Sequence, residues 1–317
     1  MKSPKPTLLL HQVFVFLIIS LVAILPNPIL SKTQLQPLSL KHLEGCRKGQ
    51  TVKGLQEVKN YLKKFGYTNA VANINDYHHV HEDDNKFDDV LESEIKAYQL
   101  NYNLDVNGKL DTSTLEQMML PRCGVPDIDN NGESSMRWNH YYGGRMGLNF
   151  KFFDGKPKWP PSKYNLTYKF TLDGTETEID VQTLSSVCAR AFATWAAVSH
   201  FQFREVGEGE HADIFIGFRR GAHGDGHPFD GAGGKIVAHA FHPTDGRLHY
   251  DADENWGTDP ASDEIDLESV TLHEIGHILG LGHTSDEEAV MFPTIGHGET
   301  KRQLASDDIN GVQTLYA

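Results

Sequence analysis

The stretch His273-Glu274-Ile275-Gly276-His277-Ile278-Leu279-Gly280-Leu281-Gly282-His283, with Met291 eight residues further on, decides how the second half of this chain folds. In a helix, His273 and His277 stand one turn apart on the same face and reach one metal ion, while Glu274 lies beside them without being needed as a ligand. Gly280 lets the helix stop through a left-handed backbone conformation that a side chain resists, so the chain turns and His283 returns as a third ligand. Three imidazoles then fill three corners of a tetrahedron. The fourth is left for water. A helix carrying core histidines by coincidence would need neither the glycine nor the third histidine.

The chain has 317 residues and a formal net charge of −14. At roughly 150 residues per domain, this length suggests two domains once any targeting segment is set aside. The acidic balance argues against nucleic acid or an anionic membrane as partner, and it leaves acidic loops as places for cations. An apolar run from Leu8 to Leu25, after Lys2 and Lys5 and before Pro26, reads as a signal peptide removed near residue 31, with a signal anchor as the alternative. A secreted product without a stable membrane anchor is expected, in which Asn165-Leu166-Thr167 is a glycosylation acceptor. Cys46, Cys123 and Cys188 are an odd number for such a chain, so at least one is free, paired between chains or bound to something.

Between Gly45 and Met119 the apolar residues recur at helical spacing: Val52, Leu55, Val58, Leu62 and Phe65 up to Gly66, then Phe87, Val90, Leu91, Ile95 and Tyr98. A third short helix follows Asp111-Thr112-Ser113-Thr114. Directly after it comes Pro121-Arg122-Cys123-Gly124-Val125-Pro126-Asp127. A thiolate is a strong zinc ligand, and Cys123 on an extended segment is able to take the coordination position that water needs. Arg122 and Asp127 are placed to pair and hold the segment in shape. A turn around a buried or disulfide-bonded cysteine is the plainer possibility, but a thiol without a partner and a three-histidine site explain each other.

The three-histidine pattern with its later methionine resembles the metzincin signature. Together with PRCGVPD upstream it resembles the matrixin family of matrix metalloproteinases over nearly the whole chain after residue 31. Leu43-Glu44-Gly45-Cys46-Arg47-Lys48-Gly49 and Tyr61-Leu62-Lys63-Lys64-Phe65-Gly66-Tyr67 are most similar to plant members, which lack a hemopexin domain. Residues 97–111 resemble the peptidoglycan-binding-like three-helix fold, used in that family as a propeptide module. The resemblance implies an α+β metzincin catalytic domain, with a mixed twisted sheet and three helices, preceded by the small helical propeptide. Its divisions are a signal peptide at 1–31, a propeptide at 32–149 and a catalytic domain at 150–317.

Within the catalytic part, Leu166 to Phe170 alternates as a strand, and Val181, Leu184, Val187, Ala191, Phe192, Trp195 and Val198 form one face of a long helix on which Cys188 is a small core residue. Strands at 201–206 and 212–218 follow. The glycine-rich loop from His223 to Gly231 needs something to order it, and three histidines with one aspartate suit a closed zinc site. By resemblance the ligands are His223, Asp225, His239 and His249, although spacing leaves His211, His227 and His242 as competitors. Asp230, Gly231, Asp251, Asp253 and Glu254 resemble the family's calcium site. The segment that supplies a second calcium is reduced here to Thr244-Asp245-Gly246-Arg247, so that site, which would use Asp213, does not carry over.

The implied reaction is hydrolysis of an internal peptide bond. Zinc on His273, His277 and His283 lowers the pKa of its water to about 7, and Glu274 moves the proton from water to the leaving amine. The strand at Val237 to Phe241 aligns an extended substrate at the sheet edge. By resemblance Met291 packs beneath the metal, and Asp307, near a good N-cap at Ser306, receives the new N-terminus near Phe150. The expected partners are two zinc ions, at least one calcium ion, an extracellular protein or peptide substrate and the chain's own propeptide as inhibitor, in a monomer. A catalytically silent zinc protein that binds wall glycans through residues 46–119 is the alternative, and the intact Glu274 argues against it.

Overall fold

Leu55, Val58 and Leu62 stand three and four residues apart, and all are fully buried in a first helix, α1 (Leu55–Lys64). The computed structural model describes residues 40–72, 84–136, 150–171, 175 and 177–317. The signal peptide expected at 1–31 and the propeptide junction up to residue 149 lie outside them. A short helix α2 (Tyr67–Ala72) follows α1 directly, and the sequence pattern gave no sign of it. Gly66 makes that turn at φ +88°, where an added Cβ would fall 2.1 Å from the Ile128 carbonyl oxygen. Helices α3 (Asp89–Asn101) and α4 (Thr112–Met119) complete the N-terminal unit. Asp88 and Asp111 cap them by accepting from Leu91 N–H at 2.8 Å and Thr114 N–H at 3.0 Å, which satisfies donors the helix leaves over.

The second part is built on a six-stranded sheet. Its strands are β1 (Arg122–Cys123), β2 (Asn165–Phe170), β3 (Gln202–Glu205), β4 (Ile214–Arg219), β5 (Ile236–Ala240) and β6 (Arg247–Asp251), in the order β1-β5-β6-β4-β2-β3. All pairs are parallel except β5 with β6. Strands β7 (Trp256–Gly257) and β8 (Ile265–Asp266) form a separate pair. Helix α5 (Val181–Ala196) packs on α6 (Leu267–Ile278), with Leu184, Val187, Cys188, Ala191, Phe192 and Trp195 buried. The last helix, α7, spans Ser306–Leu315. Its cap position is Ala305 rather than Ser306, because the Asp308 carboxylate reaches back to accept from Ala305 N–H at 2.8 Å.

Two buried clusters divide the molecule. One holds the sheet and α5 to α7, and includes Trp195, Leu272, Ile275 and Met291. The other holds the N-terminal helices, but Phe229, Ile236 and Phe292 from the second part also belong to it. Mixed α and β architecture with an N-terminal helical unit is thus what the apolar pattern implied. None of the described helices is long and apolar enough to cross a membrane.

Candidate active site

Helix α6 is buried on nearly every side, so its histidines face protein rather than water. It ends where Gly280 adopts φ +101°, and a Cβ there would meet the Pro157 carbonyl oxygen at 2.5 Å. The turn brings His283 back to the helix. His273, His277, His283 and Cys123 each offer a ligand atom within 4.8 Å of the others. His273 Nδ1 lies 2.7 Å from the Val290 carbonyl and His277 Nδ1 lies 2.8 Å from the Leu281 carbonyl. Each Nδ1 is therefore a donor, which leaves each Nε2 as a lone pair. Those two Nε2 atoms stand 3.1 Å apart. Two lone pairs at that distance repel unless a cation lies between them, and the buried, unpartnered Nε2 of His283 points to the same need. Burial pushes His273 down to about 3 and lowers His277 and His283 as well, so the rings are neutral donors of electron pairs. The donor set fits zinc.

Glu274 is fully buried; its carboxylate makes no close hydrogen bond, and the Cys123 thiol is its polar neighbour. Burial raises its pKa to about 8. Its neighbour Gly276 allows the methionine turn to close on the helix: a Cβ there would be 2.2 Å from Met291 Sδ and 3.1 Å from Trp195 Cζ2. Beside Glu274 a cavity opens between Val237, Val270, Val290 and Ile295, with Lys301 also in its lining. The Lys301 ammonium itself is turned to the Glu287 carbonyl, 2.6 Å away.

The segment that carries Cys123 lies across this cleft. Arg122 N–H donates to the Lys235 carbonyl at 2.7 Å and Gly124 N–H to the Ala238 carbonyl at 2.8 Å. On the other side, Cys123 N–H donates to the Pro293 carbonyl at 2.9 Å. Strand β1 therefore uses the edge of β5, running parallel to it. Cys123 Sγ reaches to 3.4 Å from His277 Nε2. Arg122 and Asp127, both without solvent exposure, pair through Nη2 and Oδ1 at 2.7 Å. Burial alone would raise the Asp127 carboxyl, but Arg122 and His283 more than reverse that and hold it well below the usual carboxylate range. His283 Nδ1 lies 3.0 Å from Asp127 Oδ1, a bond across 156 residues for which no local pattern is a signal, since Asp127 is already accounted for by its pairing with Arg122.

His223, Asp225, His239 and His249 form the second converging group. Asp225 Oδ2 lies 2.7 Å from His223 Nε2, 2.8 Å from His239 Nε2 and 2.9 Å from His249 Nδ1. One oxygen has too few lone pairs to serve three rings well, and a tetrahedral cation at their centre resolves the crowding. Phe229 stacks on His223 and His239 at ring distances of 5.0 and 4.7 Å. None of the three competitors offers a ligand atom to this group, although the His227 ring lies 5.8 Å from that of His239. His242 Nδ1 meets the Pro243 carbonyl at 3.0 Å, while His227 and His211 are exposed.

Asp251 and Glu254 face Asp230, and burial with mutual repulsion raises them to about 7 and about 8. Glu254 Oε1 is buried without a partner, so the trio fits a hard cation. Asp253, expected among these ligands, instead pairs with Arg220. Gly231 sits beside the group, its N–H 3.3 Å from Asp251 Oδ2. Asp213 takes a cation of the chain's own, the Lys163 ammonium, along with Thr167 N–H at 3.0 Å. Asn165, the first residue of β2, is exposed.

A helix and a returning loop that gather three histidines around a buried glutamate, crossed by a cysteine strand, define a metalloendopeptidase site. The matrixin family profile matches residues 158–317, and the profile of a peptidoglycan binding domain matches residues 51–118. The chain belongs to the matrixin family of zinc metalloendopeptidases. It is 44% identical over 300 residues to metalloendoproteinase 5-MMP of Arabidopsis thaliana, covering 92% of this chain and 79% of that one. Metalloendoproteinase 1 of Glycine max is 46% identical over 274 residues, covering 84% and 83% of the two chains. Human matrilysin is 35% identical over 265 residues, covering 82% and 85%.

Proposed function

We propose that the chain is a secreted endopeptidase made in latent form, in which residues 32–149 are a propeptide, residues 150–317 the catalytic domain, and Cys123 the group that closes the active site. The observation that carries this is the convergence of three buried imidazoles and the Cys123 thiol beside the buried Glu274 carboxylate. His273, His277 and His283 would hold the catalytic zinc, with Cys123 as fourth ligand until the propeptide leaves. A zinc ion there supplies Lewis acidity, lowering the pKa of a coordinated water to about 7 and polarising the scissile carbonyl.

The chain's own groups do the rest. Glu274, buried beside the three imidazoles, takes the proton of the attacking water and returns it to the departing amine nitrogen. The Lys235 and Ala238 carbonyls, which hold Arg122 and Gly124 N–H in the latent chain, are free to align an extended substrate once β1 is gone. The cavity beside Glu274 then takes an apolar side chain after the cut bond. His223, Asp225, His239 and His249 are assigned to a structural zinc, and Asp230, Asp251 and Glu254 to calcium. Signal-peptide removal near residue 31, glycosylation at Asn165, a monomeric state and an extracellular protein substrate complete the proposal.

The test is cleavage of an internally quenched peptide after treatment of the full chain with a thiol-reactive mercurial. Chelator-sensitive cleavage that Glu274→Gln abolishes is expected. Cleavage that survives either the chelator or Glu274→Gln refutes the assignment.

A further inference from the structure

Two of the three converging imidazoles are oriented by the catalytic half itself. His273 and His277 give their Nδ1 protons to the Val290 and Leu281 carbonyls, and those bonds need nothing from the propeptide. His283 is held differently. Its Nδ1 lies 3.0 Å from Asp127 Oδ1, on the segment that must leave before substrate can enter. Neither side chain has any solvent exposure, so water does not compete for this bond.

The carboxylate is itself fixed from several directions. Arg122 donates to Oδ1 at 2.7 Å and to Oδ2 at 3.1 Å. Tyr67 and Tyr102 donate their hydroxyls to Oδ2 at 2.9 and 3.2 Å. The Asp127 backbone N–H donates to the Phe65 carbonyl at 3.1 Å, and the Arg122 guanidinium lies 3.3 Å over the Phe65 ring. Three propeptide elements thus converge on one anion, and that anion faces the back of one histidine.

A carboxylate that accepts from Nδ1–H fixes the ring's tautomer and raises electron density at Nε2, and loss of such a partner typically lowers metal affinity 10- to 100-fold. We propose that Asp127 is a positioning residue for the catalytic zinc, acting through His283, so that the docked propeptide strengthens the site from its outer shell as well as through Cys123. Departure of the propeptide withdraws the thiolate and this carboxylate together, leaving His283 the least constrained of the three rings. The proposal rests on the zinc assignment made above.

The experiment uses the full-length zinc-loaded chain in a Cys123→Ser background. Zinc transfer to a chromogenic chelator is followed, and the catalytic-site phase is the one that Cys123→Ser itself alters. Asp127→Asn keeps the side chain's shape and removes its charge. Tyr67→Phe with Tyr102→Phe loosens Asp127 without touching its bond to His283. Asp127→Asn should speed the catalytic-site phase about tenfold or more and move one histidine ring N–H resonance in a nitrogen-15-labelled sample. The tyrosine pair should do neither.

Equal acceleration by the tyrosine pair would mean that Asp127 acts only by docking the propeptide, and would overturn the proposal, as would an unmoved ring resonance. If Asp127→Asn does not fold, exchange of the ring N–H protons with water in the wild-type chain before and after activation decides. One ring must change from protected to exchanging while two stay protected, and three unchanged rings overturn the proposal. A chain that takes up no zinc at these histidines overturns the site assignment and this inference together, whereas zinc binding with unchanged resonances overturns this inference alone.

Discussion

The backbone N–H of Phe150 donates to Asp307 Oδ1 at 2.9 Å in the uncut chain. Asp308, next to it, accepts from Val290 N–H at 2.9 Å and Met291 N–H at 3.1 Å, and so ties α7 to the turn beneath the histidines. A Cβ on Gly311 would come within 3.2 Å of the Phe150 Cβ, so the same helix also makes room for that residue. A chain cut just before Phe150 would therefore find an acceptor already in place at Asp307. Cutting just before Phe150 would turn a neutral donor into an ammonium beside a buried carboxylate, and a hydrogen bond to a charged group is worth about 1.5–3 kcal/mol. Protein beginning at Phe150 should show a higher melting temperature and a higher kcat/KM than protein cut a few residues earlier. Asp307→Asn should erase the difference, and equal values for the two cut forms would count against this role.

Arg122 and Asp127 form an ion pair without solvent exposure. Removing one member of such a pair costs about 3–5 kcal/mol, because the other is left buried and uncompensated. Arg122→Ala should lower the melting temperature of the precursor and release basal peptidase activity although Cys123 is still present. A variant as latent as the wild type would show that the pair does not hold the cysteine in place.

Cys123 Sγ sits 3.4 Å from His277 Nε2. Cys123→Ser replaces a strong zinc ligand with a weak one, so the uncut precursor should cleave a quenched peptide measurably without mercurial. Activity no higher than that of the uncut wild type would remove the thiol from the account of latency.

Gly276 has no room for a side chain: its Cβ would lie 2.2 Å from Met291 Sδ. Overpacking of this kind costs about 1–3 kcal/mol. Gly276→Ala should lower the melting temperature, and pairing it with Met291→Ala should cost less than the sum of the two single changes, since the clash is then relieved. Additive losses would place the strain elsewhere, at Trp195.

Burial and the Asp230 charge push Asp251 up to about 7, and burial with Asp251 and Asp230 pushes Glu254 up to about 8, while Arg220 and His223 oppose the first shift and Lys235 the second. Unfolded carboxyls titrate near 4. A raised folded pKa contributes stability that is full below the unfolded value and lost as pH rises through the folded one. The buried histidines, held low, lose stability in the other direction as pH falls below about 6.5, so pH 7 to 9 excludes them; Glu274, raised to about 8, shares that window, and the response to calcium is what singles out Asp251 and Glu254. Metal-stripped chain should melt at lower temperature as pH rises across that window, and calcium should restore the most at its upper end. A calcium effect independent of pH would speak against these carboxylates as its site.

Where a property depends on residues three to ten apart, the sequence revealed it. The helical faces of α1, α3 and α5 follow from periodicity, and the stop at Gly280 follows from a backbone angle that favours glycine. The convergence of His273, His277 and His283 follows from one helical turn and one bend. Helix α2 left no such trace, because a helix of six residues is too short to show a period. Asp253 stands with Asp251 and Glu254 by resemblance to the family's calcium site, and in this loop its carboxylate pairs with Arg220.

The sequence by itself determined the chemistry: which ligand types are present, how a helix presents them, and that a thiol stands upstream in a position to meet them. Only the tertiary structure decided which distant atoms meet. It joined Asp225 to His223, His239 and His249 and left His211, His227 and His242 outside. It gave Asp213 the Lys163 ammonium. It set Asp127 against His283, across 156 residues. The physical reason is that local geometry fixes the face on which a side chain emerges, whereas its partner is chosen by the packing of elements whose order along the chain does not determine their neighbours in space.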